Sequence, residues 1–116
     1  MEQPLKLTFH GVDPTPAIEA RIHEGVARLE RVHDRIVACQ VTIAAPHRHH
    51  HKGTRFNVRI DLVVKHGEIC VGRDPAQDPS HEDLYVAIRD AFDTARRLLQ
   101  DHVHKQRGEV KAAAQA

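Results

Sequence analysis

The order in which the apolar periodicity changes along this 116-residue chain constrains its fold more than any other feature. Residues 5–10 alternate apolar and polar side chains, which is the period of a strand with one buried face. Residues 15–32 then place apolar side chains every three or four positions, as an amphipathic helix does. Thr15 and Pro16 supply its N-cap and first helical position.

Three more strands and a second helix follow. The second strand, residues 36–45, has one face formed by Val37, Cys39, Val41, Ile43 and Ala45. Residues 55–64 and 69–71 form the third and fourth strands, and Gly67 can take a positive φ in the turn between them. Ser80 predicts the start of the last helix, with His81 in its first turn and Asp83 completing a short capping box. The apolar periodicity of this helix weakens after residue 100.

The resulting order, β-α-β-β-β-α, predicts a two-layer α+β domain with a four-stranded sheet and both helices on one face. A chain of 116 residues suffices for one such core. We expect a single domain over residues 1–110 and a disordered tail at 111–116. The other face of the sheet should be exposed to solvent, the wet face, and it carries Lys6, Thr8, His10, Thr42, Asn57, Arg59 and Asp61.

Composition narrows the function classes. The formal net charge of +1 excludes a bulk polycation, so any nucleic-acid surface must come from local segregation of charge. Three Phe, one Tyr and no Trp argue against a base-stacking platform. Cys39 and Cys70 should face opposite sides of the sheet and have no CxxC spacing. With no apolar run that spans a bilayer and no signal peptide, a reduced, cytoplasmic location without a membrane partner is expected.

The segment PHRHHHKGTR, residues 46–55, predicts a hairpin tip that has three possible uses. It could bind a transition metal through tandem imidazoles, it could contact phosphates, or it could be a solvated turn. The metal alternative uses His47, His49, His50 and His51. No carboxylate or thiolate offers a fourth ligand, whereas Arg48, Lys52 and Arg55 bring permanent charge. Contact with an anion is therefore favoured, and no metal or other cofactor is expected.

Further cations lie on the two helices. Arg28 and Arg31 are neighbours on the exposed face of the first helix. The last helix carries Arg96, Arg97, His102, His104, Lys105 and Arg107, diluted by Asp90, Asp93 and Asp101. Together with the basic tip, these residues predict a polyanion partner. A catalytic function is not predicted, since helix capping explains the acids of HED (81–83) and no phosphate loop, G-x-S-x-G or H-E-x-x-H motif occurs.

Two segments, TPAIEARIHEGVARLERV (15–32) and SHEDLYVAIRDAFDTARRLLQDHVHK (80–105), resemble the family of ribosome hibernation-promoting factors and ribosome-associated translation inhibitors. The resemblance extends over residues 4 to about 110. It implies a β-α-β-β-β-α fold akin to a double-stranded-RNA-binding domain. It also implies binding to the small ribosomal subunit, over the mRNA and tRNA sites, and silencing of translation in stressed or stationary cells.

The resemblance also implies which residues contact rRNA. Arg28 and Arg31 stand where the family has lysines, and Arg97 and Lys105 match basic positions of its last helix. With the cations found above, the predicted rRNA-binding set is Arg28, Arg31, Arg48, His49, Lys52, Arg55, Arg96, Arg97, Lys105 and Arg107. Relatives often have lysine where this chain has Thr94 and Asp101, so the last helix is less basic here than in the family. The positive charge of the tip would compensate for this difference.

The chain resembles the short form of the family, or a piece of a longer member, and it lacks the dimerisation domain that longer members append. DNA is not an expected partner. Two alternatives remain open. One is a metal-binding module that uses the histidine-rich tip, and the other is a protein–protein adaptor that uses the wet face of the sheet.

Overall fold

A computed structural model of the chain describes residues 1–45, 55–72, 80–81 and 83–115. Its elements are β1 (Lys6–His10), α1 (Pro16–Val32), β2 (Ile36–Ala44), β3 (Phe56–Val64), β4 (Gly67–Val71), β5 (Ser80–His81) and α2 (Leu84–Gln115). The sheet has the order β1-β2-β3-β4, and the two-residue β5 pairs with the start of β3. β1 is parallel to β2, and the other pairs are antiparallel. The predicted α+β class is confirmed.

Both helices cover the same face of the sheet, as predicted. α2 lies across β3 and β4, while α1 packs beside α2 and against β2. One apolar cluster joins the helices to the sheet, from Ile22 and Leu29 on α1 through Leu99 on α2 to Val41 and Ile60 in the sheet. Each of these side chains is at most 1% exposed, so each contributes about 1.5–3 kcal/mol of hydrophobic stabilisation.

The inward face of β2 differs from the prediction at one position. Val37 is only partly buried, whereas Ile36 is buried. The strand pairing shifts here, because Ile36 lies opposite Val64 while Ala38 lies opposite Val63. Such a bulge places an extra residue in one strand and changes which side chains face the core. Strict alternation therefore fails before residue 38 and holds from Cys39 onward.

The turn between β3 and β4 also corrects the prediction. The positive φ belongs to His66, at 72°, and Gly67 is already the first residue of β4. A Cβ at Gly67 would lie 2.8 Å from Cε1 of His102 on α2, so a side chain there would require the imidazole of His102 to shift. The glycine leaves room for this imidazole beside the β3–β4 turn.

The start of α2 lies later than predicted. Asp83 is the N-cap, and its Oδ1 accepts hydrogen bonds from the backbone N–H groups of Tyr85 (2.9 Å) and Val86 (3.4 Å). Ser80 and His81 instead form β5, so the predictions of Ser80 as the cap and of His81 in the first helical turn are wrong. At its other end α2 continues to Gln115, further than the pattern suggests. The division of the chain at residue 110 stays a prediction.

The outer face of the sheet is partly or fully exposed, as expected. Arg59 donates from Nε to Oδ2 of Asp61 at 3.0 Å across this face. Cys39 is buried on the inner face, opposite Leu62, and Cys70 pairs with Asp61 on the outer face, so the predicted separation of the two thiols is confirmed. Within the described part of the chain, no helix is long and apolar enough to cross a membrane.

Candidate functional site

A groove runs between the two helices, and one glycine sets their separation. A Cβ on Gly25 of α1 would lie 2.6 Å from Cγ of Phe92 on α2, closer than real contacts allow. The absence of a side chain at position 25 lets the ring of Phe92 pack directly on the α1 backbone. The long side chains that flank this contact then face one another across a narrow gap.

The main part of the groove has a volume of about 570 Å³ and is strongly cationic. Its lining residues are Arg28, Arg31, Val32, Arg96, Gln100, Val103, His104 and Arg107. None of these described lining residues is acidic. Four guanidinium groups therefore share a concave surface, where their fields add and attract anions. We call these eight residues the arginine groove.

Helical spacing explains why these side chains converge. Arg28 and Arg31 are three positions apart on α1, so they lie on one face. On α2, Arg96 is followed at intervals of four, four and three positions by Gln100, His104 and Arg107, which makes a second continuous face. The periodicity of either helix alone does not reveal that the two faces meet, because their meeting follows from the packing of α1 on α2.

Of the ten residues predicted to contact rRNA, the structure brings four together in the arginine groove: Arg28, Arg31, Arg96 and Arg107. Arg97 and Lys105 are exposed on α2 but do not line it. Arg55 is exposed just before β3. Arg48, His49 and Lys52 lie outside the described residues, as do the other histidines of the metal alternative, His47, His50 and His51.

A second, smaller depression continues the groove toward the start of α2. It has a volume of about 240 Å³ and is lined by Arg21, Glu24, Gly25, Arg28, Tyr85, Val86, Ile88, Arg89 and Phe92. Arg28 belongs to both depressions. The guanidinium carbon of Arg21 lies 5.5 Å from the centre of the Tyr85 ring, a cation–π contact. Sequence reasoning missed this pair, because the spacing within either helix does not reveal a contact between a residue of α1 and a residue of α2.

A third depression, of about 930 Å³, lies at the end of α1 and beside the β3–β4 turn. Four histidines line it, namely His33, His66, His102 and His104, and Nε2 of His102 is buried without a hydrogen-bond partner. Within the residues that the structure describes, however, no three His, Cys, Asp or Glu side chains are placed to hold one metal ion. These histidines are therefore neighbours in a surface depression and do not form a ligand set.

One titratable group is strongly perturbed, and it lies away from the groove. Burial, together with the negative charges of Asp61 and Glu30, raises the pKa of the Cys39 thiol to about 12. The side chain therefore stays a neutral thiol near pH 7 and behaves as a small apolar core residue.

The fold and the groove define a small α+β domain that presents a cationic cleft between two helices. The chain belongs to the family described as sigma 54 modulation protein / S30EA ribosomal protein, whose model matches residues 5–107. It is 28% identical over 102 residues to a protein described as a ribosome hibernation promoting factor from Azotobacter vinelandii, with 88% of this chain and 84% of that protein covered. The resemblance read from the sequence is therefore confirmed at the level of the family.

Two solved structures share the fold. The N-terminal domain of Protein Y from Thermus thermophilus has a TM-score of 0.67 and 21% identity, with 84% of this chain and 94% of that one covered. A ribosomal subunit interface protein from Coxiella burnetii has a TM-score of 0.60 and 16% identity, with coverages of 90% and 97%. At these identities the likeness concerns the fold. The predicted resemblance to a double-stranded-RNA-binding domain is not tested by them.

Proposed function

We propose that this chain is a ribosome hibernation factor. In this proposal it binds the small ribosomal subunit over the mRNA and tRNA sites through contacts with rRNA, and thereby inhibits translation in stressed cells. It acts in the cytoplasm and catalyses no reaction. Membership of a family of ribosome-associated proteins supports the partner, and the arginine groove is the observation that carries the mode of binding.

Arginine is suited to this role, since its planar guanidinium donates two parallel hydrogen bonds to a phosphate and keeps its charge at any physiological pH. A phosphate that enters the arginine groove meets cations on both walls, from α1 and from α2. Each phosphate neutralised in this way releases condensed counterions, so the affinity depends steeply on salt. Folded rRNA is recognised largely by shape and backbone, and a rigid domain that blocks a site needs no catalytic group.

The experiment is co-sedimentation of the protein with isolated small ribosomal subunits over a series of salt concentrations. We expect saturable binding of one copy per subunit, with the logarithm of affinity falling linearly with the logarithm of salt concentration. Replacing Arg28, Arg31 and Arg96 with alanine should weaken binding and reduce the salt slope by about one for each phosphate that is no longer neutralised.

Lys6→Ala is the matched control, because Lys6 is an exposed cation on β1, in the sheet and away from the arginine groove. It should leave binding unchanged. Absence of binding at low salt would reject the proposal, and an unchanged slope in the triple variant would remove the groove from the interface. Subunits loaded beforehand with mRNA and tRNA should bind less protein, which tests the position proposed for it.

A further inference from the structure

The smaller depression beside the arginine groove combines an accessible aromatic ring with cations. Among the residues whose side chains the structure describes, Tyr85 and Val63 are the two large apolar residues that are exposed, at 43% and 37%. Val63 lies on the outer sheet face, whereas Tyr85 lies in the first turn of α2, at the wall of the depression. An exposed ring beside a cationic groove has the composition of a site that stacks on a base.

The Tyr85 ring is held in place from two directions. The backbone N–H of Tyr85 donates to Oδ1 of the N-cap Asp83, at 2.9 Å, and this hydrogen bond fixes the first turn of α2 that carries the ring. Arg21 reaches over from α1 and places its guanidinium 5.5 Å from the ring centre. Such a contact orients the ring and adds a positive charge beside it, which favours a ligand with both a flat surface and a phosphate.

We propose that Tyr85 stacks on an unpaired nucleobase of RNA while Arg28 receives a phosphate of the same strand. Arg28 borders both depressions, so a strand whose base lies on Tyr85 continues directly into the arginine groove. Arg21 and Arg28 are about two turns apart on α1, or ~10 Å, a distance that a short stretch of RNA strand can bridge. This inference rests on the proposed function and adds that the groove selects an unpaired nucleotide.

The chemistry favours single-stranded over double-stranded RNA. Bases in a duplex are covered on both faces by their neighbours and cannot present a surface to a protein ring, whereas unpaired bases can. The charge of the lining is also suitable: Arg21 and Arg28 face one acid, Glu24, while Arg89 is paired with Asp90 at 3.2 Å. The adjoining arginine groove has no acid among its described lining residues. The low count of aromatic residues is compatible with one stacking position.

The protein carries its own probe for this contact. Tyr85 is the single tyrosine and the chain has no tryptophan, so intrinsic tyrosine fluorescence reports on this ring alone. Titration of the whole chain with a short oligouridylate should quench this fluorescence saturably. Polyphosphate, which offers charge without bases, should compete for the arginine groove without the same quenching. Binding of the oligonucleotide without quenching, or equal quenching by polyphosphate, would overturn the proposal.

Variants test the same contact on the small ribosomal subunit. Tyr85→Leu should weaken binding about 5- to 100-fold with an unchanged salt slope, as expected when one base no longer stacks. Tyr85→Phe keeps the ring and should retain most of the affinity. Val63→Ala removes apolar surface at the other exposed position and should change nothing. Circular dichroism of each variant establishes that it is folded.

The two hypotheses fail in different ways. If the unaltered protein does not bind the subunit, the proposed function is wrong. If it binds, and Tyr85→Leu binds equally well, the function stands and the stacking role of Tyr85 is wrong.

Discussion

At the scale of single residues, Gly25 determines how closely the helices approach. Glycine inside a helix costs about 1 kcal/mol relative to alanine. In α1 a larger residue would be worse than glycine, because a Cβ at position 25 would lie 2.6–2.7 Å from three atoms of the Phe92 ring. The Phe92 side chain is itself only 5% exposed, so it has little room to move.

We therefore expect Gly25→Ala to lower the free energy of unfolding by about 1–3 kcal/mol, as overpacked substitutions do. The measurement is urea denaturation followed by circular dichroism. Gly108→Ala is the control, because a Cβ there would meet nothing within 4 Å. At that helical position alanine should raise the stability by up to about 1 kcal/mol. Stabilisation by both substitutions would contradict the role given to Gly25.

Single residues also mark where sequence reasoning reached its limit. The inward positions from Cys39 to Ile43 and from Val58 to Val64 could be predicted, because alternation is a local property of a strand. The bulge at Ile36 and the positive φ of His66 could not, because both depend on how the neighbouring strand is paired. Gly67 is the instructive case: the turn was predicted at the right place, but its positive φ belongs to His66, and the group that a side chain at Gly67 would meet is the imidazole of His102, far along the chain.

At the scale of elements, the start of α2 depends on a contact that local pattern cannot reveal. Ser80 followed by Asp83 has the spacing of a capping box, yet Ser80 and His81 pair with Asn57 and Phe56 of β3. The strand pairing shortens the helix, and Asp83 then becomes its cap.

Asp83→Ala should accordingly lower the free energy of unfolding by about 1 kcal/mol, because the N–H groups of Tyr85 and Val86 are left without their acceptor. Ser80→Ala is the comparison, and it should leave the start of the helix intact. Thermal unfolding of both variants, with helicity monitored by circular dichroism, measures the difference. A larger destabilisation by Ser80→Ala would restore the capping box that the sequence suggested.

The candidate site, too, was only partly accessible from sequence. The helical period placed Arg28 beside Arg31, since residues three apart are neighbours on any helix. The meeting of these residues with Arg96 and Arg107 required the packing of α1 on α2. Tyr85 was overlooked because it lies beside the apolar stripe of α2. The structure shows that its side chain is 43% exposed, whereas the side chains of the stripe next to it are buried.

At the scale of the whole molecule, the proposed interface includes the basic tip as well as the arginine groove. Replacing Arg48, Lys52 and Arg55 with alanine should weaken binding to the small subunit and reduce the salt slope, because up to three phosphates are no longer neutralised. The urea midpoint should stay unchanged. Co-sedimentation measures the binding, and unchanged affinity would exclude the tip from the interface. If tip and groove variants act independently, their effects on binding free energy should add.

The strand order affects when each strand can pair during synthesis and folding. β1 pairs with β2 in parallel, so Lys6 can pair with Gln40 only after the intervening helix α1 has been synthesised. β2, β3 and β4, by contrast, are consecutive in the chain and pair in antiparallel fashion. Contacts that close long loops form late in folding. During synthesis at ~5–20 residues per second, β1 emerges first and stays unpaired for seconds while α1 is made. β1, which is synthesised before its partner β2, is thus expected to be among the last strands to pair. The alternation of Lys6, Thr8 and His10 with apolar neighbours keeps one side of it polar until β2 is available.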